Sequence, residues 1–101
     1  MPKIYEYLGI IFFFYSNEHE PIHVHARKGE FESKATIVLT EGIVSKVVIT
    51  NVKGKKPLKG KDLADLKDFL SEFADDIVRK WVDYFVYHKR VDFRRINKRL
   101  K

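Results

Sequence analysis

Residues 22–39, IHVHARKGEFESKATIVL, decide the fold. Before the turn, Ile22, Val24 and Ala26 fall on one face, and His23, His25 and Arg27 on the other. After it, Phe31, Ala35, Ile37 and Leu39 share a face, with Glu30, Glu32, Lys34 and Thr36 opposite. A period of two is that of a β-strand, whose side chains alternate across the pleat. Lys28-Gly29 reads as the two-residue turn between the strands, glycine supplying the positive φ such turns need. Counting outward sets Arg27 opposite Glu30, His25 opposite Glu32 and His23 opposite Lys34. All six then share one polar face of a β-hairpin, turned to solvent.

The flanking segments extend this hairpin into a sheet. Residues 1–15 read as a strand or two broken near Gly9, and residues 10–15 (IFFFY after Ile10) are apolar on both faces, as in a central strand covered on both sides. Something must cover the second face, and a second copy of the chain could do so. SNEHEP (16–21) is turn chemistry, Glu41-Gly42 marks another turn, and residues 43–52 are β-branched enough for a further strand. After a lysine-rich loop at 53–61, Leu63, Leu66, Leu70, Phe73, Ile77, Trp81, Tyr84 and His88 recur every three or four residues. Phe69, Val78, Val82 and Phe85 widen that stripe, which predicts one long amphipathic helix, or two nearly in line, with Asp62 as N-cap. The expected fold is α+β: an antiparallel sheet of about four strands, packed on one face by this helix.

The chain has 101 residues, 45% hydrophobic and 34% charged, enough for one domain with a modest core. There is no cysteine, which excludes disulfides, thiolate metal sites and cysteine nucleophiles. The longest apolar run, residues 8–15, is far short of the roughly 20 residues that span a bilayer. A soluble chain in the cytoplasm is therefore expected. The net charge is +6, yet residues 1–88 carry 13 basic and 13 acidic side chains. The excess lies wholly in residues 89–101, KRVDFRRINKRLK. Residues 1–88 therefore read as a single α+β domain and 89–101 as a basic tail, partly helical from the spacing of Phe93, Ile96 and Leu100. Its cations Lys89, Arg90, Arg94, Arg95, Lys98 and Arg99 suit a polyanion or partner surface. The same stripe equally suits a helix docked on its own domain.

The hairpin's polar face carries the chemistry. His23 and His25, two apart on a strand, have Cα atoms about 6.5–7 Å apart on one side. Both imidazoles can then reach one divalent ion, with Glu32 as carboxylate ligand and His19 from the preceding loop as a fourth. Alternatively Glu32 holds an imidazole for general acid–base work on a phosphodiester, with Arg27 and Lys34 stabilising negative charge. A plain solvated face of alternating charge is the simpler reading. No phosphate-cradling glycine loop, dinucleotide fingerprint or nucleophile elbow occurs.

The block FFFYSNEHEPIHVHARKGEFESKATI resembles the bacterial domain-of-unknown-function 4160 family. The family's aromatic run, Ser-x-(Asp/Glu)-His, proline, His-x-His, turn glycine and Glu-containing strand fall here on residues 12–15, Ser16, Glu18, His19, Pro21, His23, His25, Gly29, Glu30 and Glu32. A second proline usual before the histidine pair is Ile22 here. The resemblance covers about residues 3–86 and leaves the basic tail outside. It implies a component of toxin–antitoxin type, since family members are often encoded beside small proteins of the domain-of-unknown-function 2442 family. Three functions follow as expectations. The chain binds RNA or such a cognate partner; it is a small ribonuclease-like or metal-dependent toxin using His23 and His25; or it is a non-catalytic structural partner.

Overall fold

The computed structural model describes residues 2–17 and 21–100. In chain order the elements are β1 (Lys3–Tyr7), β2 (Ile10–Phe13), β3 (His23–Lys28), β4 (Phe31–Thr40), β5 (Ile43–Asn51), α1 (Gly60–Phe85) and β6 (Arg94–Ile96). The strands form one sheet in the order β5-β4-β3-β2-β1-β6. Neighbours run antiparallel except β6, which runs parallel to β1. The expected α+β arrangement holds, but the sheet has six strands rather than about four.

Two segments account for the difference. Residues 3–13 make a tight hairpin, because Leu8 and Gly9 both adopt positive φ (49° and 87°), the conformation that reverses a twisted strand pair in two residues. Leucine is an unusual first residue for such a turn, so the sequence signal there is weak. In the tail, residues 94–96 are extended rather than helical. Their backbone continues the sheet beside β1, pairing Tyr5 with Arg94 and Tyr7 with Ile96. Half-buried Ile96 and Leu100 pack against the core, while Phe93 stays exposed.

The central hairpin turns at Gly29-Glu30, one residue later than expected, with Gly29 at φ 61°. Lys28 therefore pairs with Phe31, Arg27 with Glu32, His25 with Lys34 and His23 with Thr36. The pairing has moved by two positions in all. A shift by two leaves every side chain on its original face. Val24, Ala26, Ala35 and Ile37 are accordingly buried beneath α1, as the alternation requires.

Helix α1 is a single unbroken helix of 26 residues. Its N-cap is Lys59 rather than Asp62, and no side chain caps it. Asp62 sits in the first turn, where a carboxylate favours the helix dipole, and accepts from Lys28 Nζ at 2.9 Å. Leu66, Phe69, Leu70, Ile77 and Trp81 are buried against the sheet. Phe69 is the hub of that contact. Its ring lies 4.4 Å from Phe12, 4.5 Å from Phe73, 5.1 Å from Tyr5 and 5.3 Å from Tyr7, centroid to centroid. Among the described residues, no helix is long and apolar enough to cross a membrane.

Removing the Phe69 ring leaves a cavity that four aromatic neighbours cannot close. Phe69→Ala is expected to lower unfolding free energy by about 3–5 kcal/mol, a large share of a small domain's total. Urea denaturation followed by circular dichroism measures it.

Candidate functional site

The sheet face turned away from α1 was expected to be open to solvent. It is closed over its centre. His23, His25 and Glu32 are only 5%, 2% and 1% exposed, and Phe13 on neighbouring β2 is fully buried. Strand pairing brings these side chains together: Phe13 pairs with His25 across β2–β3, and His25 with Lys34 across β3–β4. The Phe13 ring stacks on His25 at 5.5 Å, and Tyr15 meets His25 edge-on at 4.4 Å. Arg27 lies over the outer side of Phe13, 5.2 Å from its centroid. This second aromatic layer explains why residues 10–15 are apolar on both faces.

Within that layer Glu32 is the organising group. One carboxylate oxygen stands 3.1 Å from His25 Nδ1 and accepts from the Tyr15 hydroxyl at 3.3 Å. A carboxylate this buried is tolerated because polar partners replace its water. His25 is not Glu32's directly paired residue but its diagonal neighbour, a distance that long side chains span. Against an ionised carboxylate, which only accepts, Nδ1 of His25 is the donor. His23 Nδ1 lies 2.6 Å from the Pro21 carbonyl oxygen and donates to it. The two imidazole centroids are 5.3 Å apart.

Beside His25 a cavity of about 530 Å³ opens, lined by Tyr15, His25, Lys34, Asn51, Val52, Lys53 and Lys55. No carboxylate lines it among the described residues. Lys34 comes from β4, and the rest of the basic rim from the end of β5 and the loop after it. That loop is tied to the hairpin's backbone. Glu32 N–H donates to the Lys56 carbonyl at 2.8 Å, and Leu58 N–H donates to Ser33 Oγ at 3.0 Å. The residue whose side chain holds His25 thus anchors the lysine loop through its main chain. Three lysines thus line a cavity whose histidine is backed by the Glu32 carboxylate.

The family model described as Domain of unknown function (DUF4160) matches residues 9–82. The chain belongs to this family. The match takes in the histidine hairpin, the lysine loop and most of α1; β1, β6 and the end of the helix lie outside it. No curated protein and no solved structure matches the chain. The domain-of-unknown-function 4160 description carries no activity, so the chemistry must come from the side chains.

Of the sequence-predicted site residues, the structure brings His23, His25 and Glu32 together. Arg27 shares their face but sits over Phe13, not among the cavity-lining residues. His19 lies outside the described residues. Among the described residues no group of three or more His, Asp or Glu is placed to hold a metal ion. The Nδ1 atoms of His23 and His25 are already directed at Pro21 and Glu32. Lys34 was expected on this face beside Arg27 and does line the cavity, whereas Asn51, Lys53 and Lys55 were not singled out as site residues from the sequence. The loop's lysines stood out as a local excess, but their nearness to His25 depends on β4–β5 pairing of Ser33 with Asn51 and Lys34 with Thr50.

The tail cations divide. Arg95 pairs with Glu6 at 3.4 Å, and Arg99 with the buried Asp65 at 2.7 Å. The hydrogen bond to Asp65, reinforced by its charge, raises the Arg99 guanidinium above its ordinary value. Leu100 N–H donates to the Tyr7 hydroxyl at 3.0 Å, and Lys80 Nζ donates to the Asp92 carbonyl at 3.1 Å. Arg94 lies over Phe73 and Lys89 over Tyr87, while Arg90 and Lys98 are exposed. Strand β6 is at one end of the strand order and β5, with the lysine loop, at the other. The tail therefore does not join the histidine site.

Truncating Glu32 strips an acceptor from buried His25 and half-buried Tyr15 at once. Glu32→Ala is expected to cost about 2–4 kcal/mol in urea denaturation, and Glu32→Gln, which keeps an oxygen for Tyr15, clearly less. Equal stability of wild type and Glu32→Ala would show that the carboxylate does not organise this layer.

Proposed function

We propose that this chain is an RNA-binding component of toxin–antitoxin type, and that the cavity over His25 is its principal phosphate contact. The observation that carries the reading is the convergence of Lys34, Lys53 and Lys55 on a cavity with Asn51 and His25 and with no lining carboxylate among the described residues. Lysines at phosphates act as point charges whose binding is driven by counterion release. The toxin–antitoxin context comes from the family resemblance and its frequent pairing with domain-of-unknown-function 2442 proteins. Recognition of such a partner in place of RNA is the competing outcome. Burial of His23, His25 and Glu32 moves any docking role from the histidines to the basic rim. Among the tail residues, Arg90 and Lys98 are the exposed cations best placed to add long-range attraction without disturbing β6.

A second reading, cleavage of the bound strand, is favoured by the His25–Glu32 contact. A buried carboxylate on Nδ1 fixes tautomer and ring orientation, as a general base requires. His25 would take the 2′-hydroxyl proton as that oxygen attacks phosphorus. The bond to the 5′-oxygen breaks, and that oxygen takes a proton from solvent water, leaving a 2′,3′-cyclic phosphate and a 5′-hydroxyl end. Intact RNA after incubation with the folded wild type would remove this reading. Cleavage lost in a folded His25→Ala variant would support it.

Binding is tested by fluorescence anisotropy of a labelled single-stranded RNA across a salt series. In Lys53→Gln/Lys55→Gln the slope of log affinity against log salt is expected to become shallower by about 1.4, from about 0.7 for each phosphate contact on a single strand. An unchanged slope would place the phosphates elsewhere. Absence of binding by the wild type would end the reading. Deleting the tail is a poor control because it also removes β6; Arg90→Gln/Lys98→Gln tests its charge with the sheet intact.

A further inference from the structure

The two ends of the sheet are built differently. At one end β6 has three residues, two of them arginines. At the other, β5 runs for nine residues, IVSKVVITN, with no proline and a single charge, Lys46. Among the described residues no strand pairs with the outer edge of β5. Such an edge presents a row of backbone N–H and C=O groups that a further strand can take up, and proteins that stay monomeric blunt it with charge, proline or brevity. Strand β6 has that protection and β5 does not. A bulge at Ser45, skipped between the Leu39–Val44 and Val38–Lys46 pairs, leaves residues 46–51 as the regular stretch of β5.

Pairing with β4 sets the two faces of that stretch. Val47 and Ile49 pair with Ile37 and Ala35, on the face that α1 covers, and are half-buried. Lys46, Val48 and Thr50 pair with Val38, Thr36 and Lys34, on the opposite face, and are exposed. Between this last strand and the flank of α1 lies a cavity of about 550 Å³, lined by Val47, Val48, Ile49, Lys67, Leu70 and Ser71. Nothing in the histidine chemistry uses it. Three β-branched side chains form its strand wall and Leu70 the apolar part of its helix wall, so it suits the apolar side chains of an added strand.

We propose that β5 is a dimerisation edge, on which two copies of the chain pair β5 with β5, antiparallel, about a two-fold axis through Val48. The second copy adjoins by this edge and not by the sheet face that Phe13 and His25 already close. Counting outward from the axis, Val48 of one copy meets Val48 of the other, Val47 meets Ile49, and Lys46 meets Thr50. Every side chain stays on its own face, the apolar pairs fall on the side of α1, and no like charges stand opposite each other. Residues 46–50 of the two copies then exchange about four to six main-chain hydrogen bonds. The pattern of β5 thus matches itself. Charge selects the same edge. The +6 excess lies in residues 89–101, which carry β6 at the far end of the strand order, so pairing through β5 keeps the two basic tails at the outer ends of one continuous sheet. Pairing through β6 would set arginines against arginines. Assembly closes at two copies because the contact consumes both β5 edges.

Sedimentation equilibrium of the full chain over a micromolar-to-millimolar concentration series tests the proposal. The mass is expected to rise with concentration to twice the 12.0 kDa of one chain. Val48→Lys sets two ammonium groups opposite each other across the axis and is expected to raise the dissociation constant about ten-fold. Val48 is 39% exposed, so the circular dichroism spectrum of the dilute variant should match the wild type. A wild type that keeps the mass of one chain throughout overturns the proposal, and is the outcome if the edge serves a strand of another protein instead. A Val48→Lys dimer as tight as the wild type overturns it too. The register is read with cysteine, which the chain lacks. Val48→Cys is expected to oxidise to a disulfide-linked dimer, its Cα atoms lying about 4.5–5.5 Å apart across the axis. Exposed Ile43→Cys, whose counterpart lies roughly 30 Å away along the strands, is expected to stay a single chain. Cross-linking through position 43 and not 48 overturns this pairing even where the wild type is a dimer.

Discussion

The carboxylate of Glu32, almost without contact to water, is the constraint around which the outer face of the sheet is built. A charge in that position needs polar partners, and Tyr15 and His25 both reach its Oε2 oxygen. That requirement fixes the His25 ring, brings Tyr15, two residues past β2, onto the face, and lets Phe13 close the layer from the side. The same residue's amide binds the carbonyl of Lys56 and so holds the lysine loop beside His25. Orientation of the imidazole and delivery of positive charge are therefore consequences of one position in β4.

The opposite face answers to a different demand. Helix α1 covers the sheet with an aromatic cluster centred on Phe69, and this frees β2 and β3 to carry polar chemistry on their other side. A domain of this size has little surplus stability to spend on buried polar groups. Confining them to one small layer, with an aliphatic and aromatic core behind it, keeps that cost local.

Much of this was legible in the sequence, for identifiable reasons. The alternation in residues 22–39 settled which side chains face the helix, and it survived a displaced turn because the register moved by two. The unbroken stripe from Leu63 to Tyr84 gave the helix. Grouping of His23, His25 and Glu32 followed from the same period, but their burial did not, since strand periodicity says nothing about what covers the second face. The lysine rim was hidden because it needs the non-local pairing of β4 with β5. Strand β6 was hidden for a similar reason. Three residues are too few to show a period, and the spacing of Phe93, Ile96 and Leu100 fits a helix face as well as it fits an extended segment touching the core twice.

Pairing of β6 with β1 joins residues 89 positions apart through three backbone positions, two ion pairs and a tyrosine hydroxyl. Few contacts closing so long a loop favour local opening at this edge of the sheet. Each opening returns Arg95 and Arg99 to solvent and uncovers the Asp65 carboxylate on α1. The electrostatic field of the molecule is thus not fixed by composition alone. It depends on the β6–β1 pairing, whose two ion pairs are weakened by high salt through screening.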